Sequence, residues 1–169
     1  ISIAAHEHGR AVDANNALDG EGPFSPERAG SLPAADLVRL CFSGKYTEAQ
    51  LLKRIAGKAG LTAHLGTNDM REILRRIDSG DKQAELIVNA MIYHTAKNIV
   101  AEGAVLCGNV DAILLTGGLA RSEYVISRLR KRIDFLAPTY CYPGEDEMEA
   151  LAINALDVLR GKQQAKEYV

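Results

Sequence analysis

The stretch 111–132, DAILLTGGLARSEYVISRLRKR, decides the fold class. Its apolar run 111–115 has the length of a strand, and 122–132 has the spacing of a helix. Gly117 and Gly118 separate the two with a tight turn. A buried strand followed by a helix is typical of chains that alternate the two elements. We therefore expect an α/β fold, a mixed sheet flanked by helices.

Helical spacing recurs on both sides of this stretch. The longest periodic segment is 81–107, and the last helix is predicted over 145–159. We expect the first of them to be the spine of the domain. Its predicted packed positions are Leu86, Ala90, Tyr93, Ala96, Ile99, Val100, Gly103 and Ala104.

Shorter elements precede this spine. One helix, with Leu37, Leu40 and Cys41 on one face, is predicted to end before Gly44, and a second to run from Thr47 to Gly57. A third is predicted over 69–77, capped by Asn68 or Thr67. The glycine-bounded segment 60–66 is short enough to be a loop or a strand.

The two remaining segments read as extended chain. Residues 1–15 predict a hairpin that turns at 7–10, where Gly9 is free to adopt a positive φ. The segment 133–142 is predicted to be extended, with Pro138 at an edge or kink.

A long irregular segment, 15–33, mixes glycine and proline with Asp, Ser and Asn. This composition breaks both helical and strand periodicity, and the segment is longer than a connector requires. Loops of this kind often carry function.

Charge and composition exclude several classes of protein. The formal net charge is −2, which leaves no excess of positive field to hold nucleic acid or an anionic membrane. A hydrophobic share of 47% with 25% charged residues is typical of a folded domain and argues against disorder.

The cysteines, the distribution of apolar residues and the first residues bear on where the protein resides and on whether the chain is complete. Cys41, Cys107 and Cys141 are scattered and odd in number, which fits a reducing, cytoplasmic setting better than a disulfide framework. No apolar run of membrane-span length and no charged-then-apolar leader is visible. The chain opens at Ile1 directly in a strand-like stretch, so we expect further sequence upstream.

The glycine pair Gly117 and Gly118 has two interpretations. The pair could serve only as a tight turn, or it could let a nucleotide approach backbone amides that point at it. The three-glycine dinucleotide fingerprint and the Gly-Lys-Ser/Thr phosphate loop are both absent.

Charged residues at two further places fit phosphate chemistry. Arg28 lies in the irregular segment, where it could clamp a phosphate or carboxylate, or simply pair on the surface with Glu27 or Asp19. Acids crowd the start of the last helix, where they either favour the helix dipole or hold a magnesium ion through water. These acids are Glu145, Asp146, Glu147 and Glu149.

Six stretches together resemble one family over almost the whole chain. They are ISIAAH (1–6), NNALDGEGPFSPERAG (15–30), CFSGKYT (41–47), LGTNDMRE (65–72), LLTGGLARS (114–122) and YPGEDEMEALAINAL (142–156). They are similar to the carboxyl-terminal domain of butyrate kinases, which belong with the acetate kinases in the actin-like ATPase superfamily. The loop 15–30 and the GEDEM segment 144–148 are the most specific matches.

This resemblance implies an activity. It implies ATP-dependent, reversible phosphorylation of butyrate to butyryl phosphate, with Mg²⁺. It also implies a second, amino-terminal lobe that this chain lacks, so that 1–161 would be the carboxyl-terminal domain, 162–169 a polar tail, and the fragment alone inactive. The implied partners are the acid, ATP or ADP, the missing lobe and a twin subunit, with no nucleic acid and no membrane.

The resemblance also assigns roles to residues. Arg28 matches the arginine that holds the transferring phosphoryl group and the carboxylate, and Glu147 matches the magnesium-linked glutamate, with Asp146 as the alternative. The adenosine-binding residues are implied to be Asp69, Met70, Arg71, Gly117, Gly118, Leu119, Ala120 and Ser122.

Two departures and two alternatives accompany these assignments. Ser122 stands where acetate kinases have Asn, and Met70 replaces an aromatic ring, so contacts to adenine are expected to differ. The acid could instead be isobutyrate, acetate or propionate. A different class of function is a non-catalytic nucleotide-binding or dimerisation module in which the helix 81–107 packs against a twin subunit.

Overall fold

The computed structural model describes residues 1–144 and 147–165. A short 3-10 turn, Gly118–Arg121, accompanies the helices and strands of this part. In chain order the elements are β1 (Ala4–Glu7), β2 (Arg10–Ala14), α1 (Ala34–Cys41), α2 (Glu48–Ile55), α3 (Gly60–Leu65), α4 (Met70–Asp78), α5 (Lys82–Val105), β3 (Ile113–Thr116), α6 (Glu123–Ile133), β4 (Thr139–Tyr142) and α7 (Glu147–Leu159).

The strands of the described part form two separate two-stranded sheets. β1 and β2 pair antiparallel as the predicted hairpin, with positive φ values at His8 (49°) and Gly9 (76°) in its turn. β3 and β4 pair in parallel in a register that ends with Thr116 opposite Tyr142, and α6 is the crossover between them. The α/β class is confirmed, with antiparallel and parallel pairing divided between two sheets.

One side of α5 forms the centre of the hydrophobic core. Val88, Met91 and Ile92 are at most 2% exposed. They belong to one cluster with residues of α3, α4 and α6. The other large side chains of the cluster include Leu61, Leu65, Ile73, Leu129 and Ile133. Because burial of each large apolar side chain contributes about 1.5–3 kcal/mol, this cluster holds four helices together.

The prediction of which α5 side chains are packed is partly wrong. Ala96 and Ile99 are buried, but Leu86 and Tyr93 are 66% and 46% exposed. The helix is apolar on more than one side, so the same spacing fits two faces, and the other described elements cover only one of them. None of the helices in 1–144 and 147–165 is long and apolar enough to cross a membrane.

The helices α1 and α2 form where they are predicted. A capping box at Thr47 and Gln50 starts α2. However, α1 has no buried residue, and Leu40 of its apolar face is exposed. Periodicity identifies an apolar face without showing what covers it, and no described element covers this one.

The segment 60–66, expected to be a loop or strand, is helix α3. Leu61 and Leu65, one turn apart, both face the core and so stabilise a helix. The amide of Leu61 donates to the carbonyl oxygen of Ser25 at 3.1 Å, which satisfies the helix start in place of a side-chain cap. The glycines that suggested a loop are therefore the boundaries of the helix.

Two further boundaries differ from the sequence prediction. The cap of α4 is Asp69, which accepts a hydrogen bond from the amide of Arg71, rather than Asn68 or Thr67. The predicted extended segment 133–142 is shorter, because α6 continues through Ile133 and β4 begins only at Thr139.

The irregular segment 15–33 is fixed by backbone hydrogen bonds to its neighbours. The amide of Ala29 donates to the carbonyl of Ile55 at 2.9 Å, and the amides of Gly57 and Ala59 donate to the carbonyl of Glu27. Gly60 has φ +56°, and a Cβ atom built there would overlap the carbonyl oxygen of Ser25. The loop and the start of α3 are therefore in backbone contact.

Replacing Gly60 with Ala should destabilise the protein more than an ordinary glycine substitution. Gly80 is the matched control, since it also has a positive φ, +92°, but nothing lies within 4 Å of its Cβ position. We expect Gly80→Ala to lower the free energy of unfolding by about 1–2 kcal/mol from backbone strain alone. Gly60→Ala should lower it by about twice that or more, because the loop must also move. Equal losses in urea unfolding would contradict the close approach.

The hairpin packs against α5 near Glu102. The carboxylate of Glu102 lies close to the backbone of Ala5, and its Oε2 atom is buried without a hydrogen-bond partner among residues 1–144 and 147–165. Burial, and then the nearby charge of Asp13, raise the pKa of this carboxyl above its usual value. The folded state therefore favours the protonated form of Glu102.

This shift gives the stability a dependence on pH. Because the pKa is raised in the folded state, protonated Glu102 contributes to the free energy of unfolding at low pH, and this contribution is lost as the pH rises through the folded-state pKa. Glu102→Gln should therefore stabilise the protein at pH 7, and the gain should fall towards zero as the pH is lowered below about 4, where the unfolded carboxyl is also protonated. Urea unfolding of the wild type and of Glu102→Gln between pH 7 and about pH 4 measures this difference in the free energy of unfolding. A gain that is independent of pH would contradict the assignment.

Candidate functional site

The turn after β3 has a backbone conformation that only glycine adopts readily. Gly117 has φ 79° and ψ −176°, a region closed to residues with a Cβ and often found at functional sites. Beyond Gly117 and its chain neighbours, no atom of residues 1–144 and 147–165 lies within 4 Å of the position where its Cβ would be. The described residues therefore leave the backbone at Gly117 open to a ligand.

The residues after Gly117 attach this turn to the core. Ala120 is buried and Leu119 packs against the hydrophobic cluster. Ser122 caps α6, its hydroxyl accepting a hydrogen bond from the amide of Val125 at 3.3 Å. The turn is therefore held rigidly, and the only predicted side chain in it with hydrogen-bonding groups is engaged in helix capping.

Parallel pairing brings Gly144, which follows β4, next to this turn. The amide of Gly117 donates to the carbonyl of Gly144 at 3.1 Å. The two strands end at the same edge, so the chain leaves β4 beside the glycine pair. Gly144 was not among the predicted site residues, although it opens the GEDEM segment.

The acids of that segment are largely beyond the described residues. Glu145 and Asp146 lie outside them, and for Glu147 only its position as the first residue of α7 is described. Elsewhere in the described part, no three His, Cys, Asp or Glu side chains are grouped as metal ligands. The magnesium role of Glu147 stays a prediction.

Arg28 is half-buried and points back along its own loop. Its Nη1 atom donates to the carbonyl of Ala17 at 3.4 Å, and its amide donates to the hydroxyl of Ser25. The alternative of an ion pair with Glu27 or Asp19 is not observed in the described part of the chain. The guanidinium thus keeps donors for another anion.

The start of α4 carries the other predicted cluster. Both carboxylate oxygens of Asp69 accept hydrogen bonds from the Arg71 guanidinium at 3.2 Å. This side-chain bond holds the pKa of Asp69 below and that of Arg71 above the usual values. Met70 packs against the core, whereas the Arg71 side chain is largely exposed. The three side chains are fixed at one helix end.

A side-chain hydrogen bond joins this helix end to the Arg28 loop. The Asn68 amide donates to the Glu27 carboxylate at 2.6 Å. Sequence reasoning missed this pair, because it considered Asn68 as a cap and Glu27 as a partner of Arg28. The pair is 41 positions apart, so spacing along the chain gives no signal for this hydrogen bond. The one available signal was that both residues lie in stretches that resemble the family.

The predicted residues therefore form two groups. One consists of the Arg28 loop and the start of α4, and the other of the Gly117 turn and the approach to α7. Within residues 1–144 and 147–165, no hydrogen bond or ion pair joins the groups. Both groups pack on the same hydrophobic cluster, through Phe24 and Met70 on one side and Leu119 on the other.

Two open clefts lie away from these groups. One, of about 490 Å³, is at the far end of α4, where Arg75, Arg76 and Asp81 are among its lining residues. The other, of about 470 Å³, lies between α5 and α6 and is lined by Asn89, Ile92, Arg128, Lys131 and Arg132. None of the predicted site residues whose side chains are described lines either cleft.

Comparison with known proteins now adds a family to this geometry. A model of the acetokinase family matches residues 1–137. The chain belongs to the acetokinase family. This agrees with the resemblance seen in the six sequence stretches.

The curated relatives of this acetokinase domain are longer than the chain. A "Probable butyrate kinase" of Bacteroides thetaiotaomicron is 64% identical over 168 residues, which are 99% of this chain and 48% of that protein. "Butyrate kinase 2" of Clostridium acetobutylicum is 52% identical over 168 residues, 99% of this chain and 47% of that protein. The chain spans about half the length of the curated relatives it matches.

Solved structures support the fold. The Porphyromonas gingivalis acetate kinase superposes with a TM-score of 0.82 at 22% identity, covering 94% of this chain and 46% of that chain. An acetate kinase of Entamoeba histolytica gives a TM-score of 0.79 at 17% identity, covering 92% of this chain and 48% of that chain. The actin-like ATPase fold expected from the sequence is confirmed.

The glycine-only conformation at Gly117 can be tested in this acetokinase domain. Gly66 is the matched control, because its φ of 80° is almost the same but its ψ of −1° lies in the left-handed helical region. We expect Gly66→Ala to lower the free energy of unfolding by about 1–2 kcal/mol. Gly117→Ala should lower it by about 3 kcal/mol, because its region admits essentially only glycine. Equal losses in urea unfolding would show that the Gly117 backbone relaxes.

Proposed function

We propose that the protein carrying this chain is an ATP-dependent carboxylate kinase that converts butyrate to butyryl phosphate and can run in reverse. The single observation that carries this proposal is the 64% identity to a relative named as a probable butyrate kinase, across 99% of the chain. The glycine-only turn at Gly117 and the Arg28 guanidinium, which forms no ion pair with residues 1–144 and 147–165, support a phosphate-handling site in the same chain.

Arg28 is proposed to hold the transferring phosphoryl group and the substrate carboxylate. An oxygen of the acid would attack the γ-phosphorus in line, and charge on the phosphoryl oxygens must then be offset. A guanidinium suits this role because it offers several donors in a fixed plane to oxyanions. The half-buried position and the attachment of the loop to α2 and α3 support a preorganised donor.

Adenosine is proposed to bind at the turn 117–120 with Ser122, and at Asp69, Met70 and Arg71. The open backbone at Gly117 and the exposed Arg71 side chain support contacts with a flat, polar ligand. The bonds from Asp69 fix the orientation of Arg71, which reduces the ordering needed on binding. Because Met70 packs on the core, we expect adenine to contact it less than the ring found there in acetate kinases.

Mg²⁺ bound to ATP would neutralise charge on the phosphate oxygens. Glu147, or Asp146 one residue earlier, is the proposed contact through water. Its place at the first position of α7, three positions after the Gly144 whose carbonyl accepts the Gly117 amide, supports this assignment.

The chain is proposed to be the carboxyl-terminal domain, 1–161, of a two-lobed enzyme, with a polar tail at 162–169. Its span of about half of each relative supports this division. The amino-terminal lobe would complete the cleft, so the chain alone would not turn over substrate. A homodimer and a cytoplasmic location are further proposals, and the location is supported by three unpaired cysteines.

The role of Arg28 is tested in the protein encoded by the full open reading frame. Arg28→Ala should lower kcat for ADP formation with butyrate by roughly 100-fold or more, because a donor to the transition-state oxyanion is lost. Arg28→Lys should recover only part of the rate, since lysine cannot bind bidentately. Propionate, acetate and isobutyrate assayed in parallel measure which acid is preferred.

Arg39→Ala is the control for this experiment. Arg39 is an exposed residue of α1 that pairs with Asp36, and its loss should leave kcat unchanged. A loss of less than tenfold in Arg28→Ala would remove Arg28 from the catalytic residues. No turnover of any of the four acids by the wild-type protein, together with no heat on titration with ATP and Mg²⁺, would favour the non-catalytic module.

A further inference from the structure

The cleft between α5 and α6 is lined by positive charge. From α5 it is lined by Asn89 and Ile92, and from α6 by Arg128, Lys131 and Arg132. Arg128 lies three positions before Lys131 and four before Arg132, so the three cations share one face of the helix. The volume of about 470 Å³ is within the range of small-molecule sites, roughly 300–1,000 Å³.

These cations are not neutralised within the described part of the chain. None of the three forms an ion pair there. Asp134, two positions after Arg132, accepts a hydrogen bond from the Thr139 hydroxyl and forms no ion pair with these cations. The remaining cation of the RLRKR stretch, Arg130, turns away and donates to the carbonyl of Thr139. The cleft therefore collects three charges of a chain whose net charge is −2.

Aromatic rings orient the two guanidinium groups. The Arg128 guanidinium lies 3.5 Å from the centroid of the Tyr124 ring, and that of Arg132 lies 5.2 Å from the centroid of Tyr93. Lys97 approaches the same Tyr93 ring at 5.7 Å. Stacking on a ring occupies the face of a guanidinium and leaves edge donors available to an oxyanion. One donor of Arg128, its Nη1 atom, is used in a hydrogen bond to the carbonyl of Tyr124 at 3.5 Å, and its other donors remain for an anion.

From these observations we propose that the cleft binds a small multivalent oxyanion of the oligophosphate class. Three converging cations and the Asn89 amide match several phosphate oxygens, and bidentate guanidinium contacts favour phosphate geometry. The overall negative charge of the chain and the small extent of the cleft favour a small anion over nucleic acid or a membrane. The cleft shares no residue with the proposed ATP site, so this inference is independent of the proposed function.

The test is calorimetric titration of the full-length protein with tripolyphosphate, which lacks a nucleoside. The cleft variant is Lys131→Gln/Arg132→Gln, two exposed positions where substitution leaves the core intact. The control is Lys45→Gln/Lys53→Gln, which removes the same charge from exposed positions near and in α2. We expect the cleft variant to bind tripolyphosphate roughly tenfold more weakly or worse, because charge-assisted hydrogen bonds are lost. The control should stay within about twofold of the wild type.

Four outcomes would overturn the proposal. The first is that the wild type shows no saturable binding at millimolar tripolyphosphate. The second is that the wild type and the cleft variant bind with equal affinity, and the third is that both double variants lose affinity equally. The fourth is that the cleft variant changes its oligomeric state in light scattering while its affinity is unchanged. The last outcome would make this surface a contact between protein subunits. Arg128→Lys gives a second measure, since it keeps the charge but loses the planar contact and should bind more weakly than the wild type.

Discussion

Burial of one side of α5 is the constraint on which the rest of the molecule depends. Val88, Met91 and Ile92 exclude water together with Leu61 of α3, Ile73 of α4 and Leu129 and Ile133 of α6. The placement of α6 then determines where β3 and β4 meet, because that helix connects the two strands. The glycine turn after β3 and Gly144 beyond β4 are positioned through this chain of contacts, although neither forms a described hydrogen bond with α5.

Close backbone contact organises the other half of the candidate site. The loop that carries Arg28 lacks regular secondary structure, yet it is tied to α2 and α3 by main-chain hydrogen bonds and admits no side chain at Gly60. An arginine in such a loop loses little freedom when it binds an anion. The bond between Glu27 and Asn68 extends this rigidity to the start of α4, where Asp69 orients Arg71.

Local signals in the sequence were sufficient for most of the elements. The strand, turn and helix of 111–132, the hairpin at Gly9 and the capped helix after Thr47 all depend on neighbours in the chain, and all are observed. The failures have a common cause in tertiary structure. Leu86 and Tyr93 belong to an apolar side of α5 that the described elements leave uncovered. Helix α3 forms because Leu61 and Leu65 face the core and because Ser25, far away in sequence, accepts the Leu61 amide. Spacing alone could not identify the link between Glu27 and Asn68, and resemblance to a family assigned roles that geometry leaves as proposals.

The exposed apolar side chains of α7 have a practical consequence for work with this polypeptide. Met148, Leu151 and Leu159 are 78%, 64% and 82% exposed, and Phe42, just beyond α1, is 87% exposed. Large uncovered apolar areas drive non-specific association of purified proteins. Preparations of the isolated 169-residue polypeptide are therefore expected to precipitate on concentration unless mild detergent is present or a companion polypeptide is co-expressed with it.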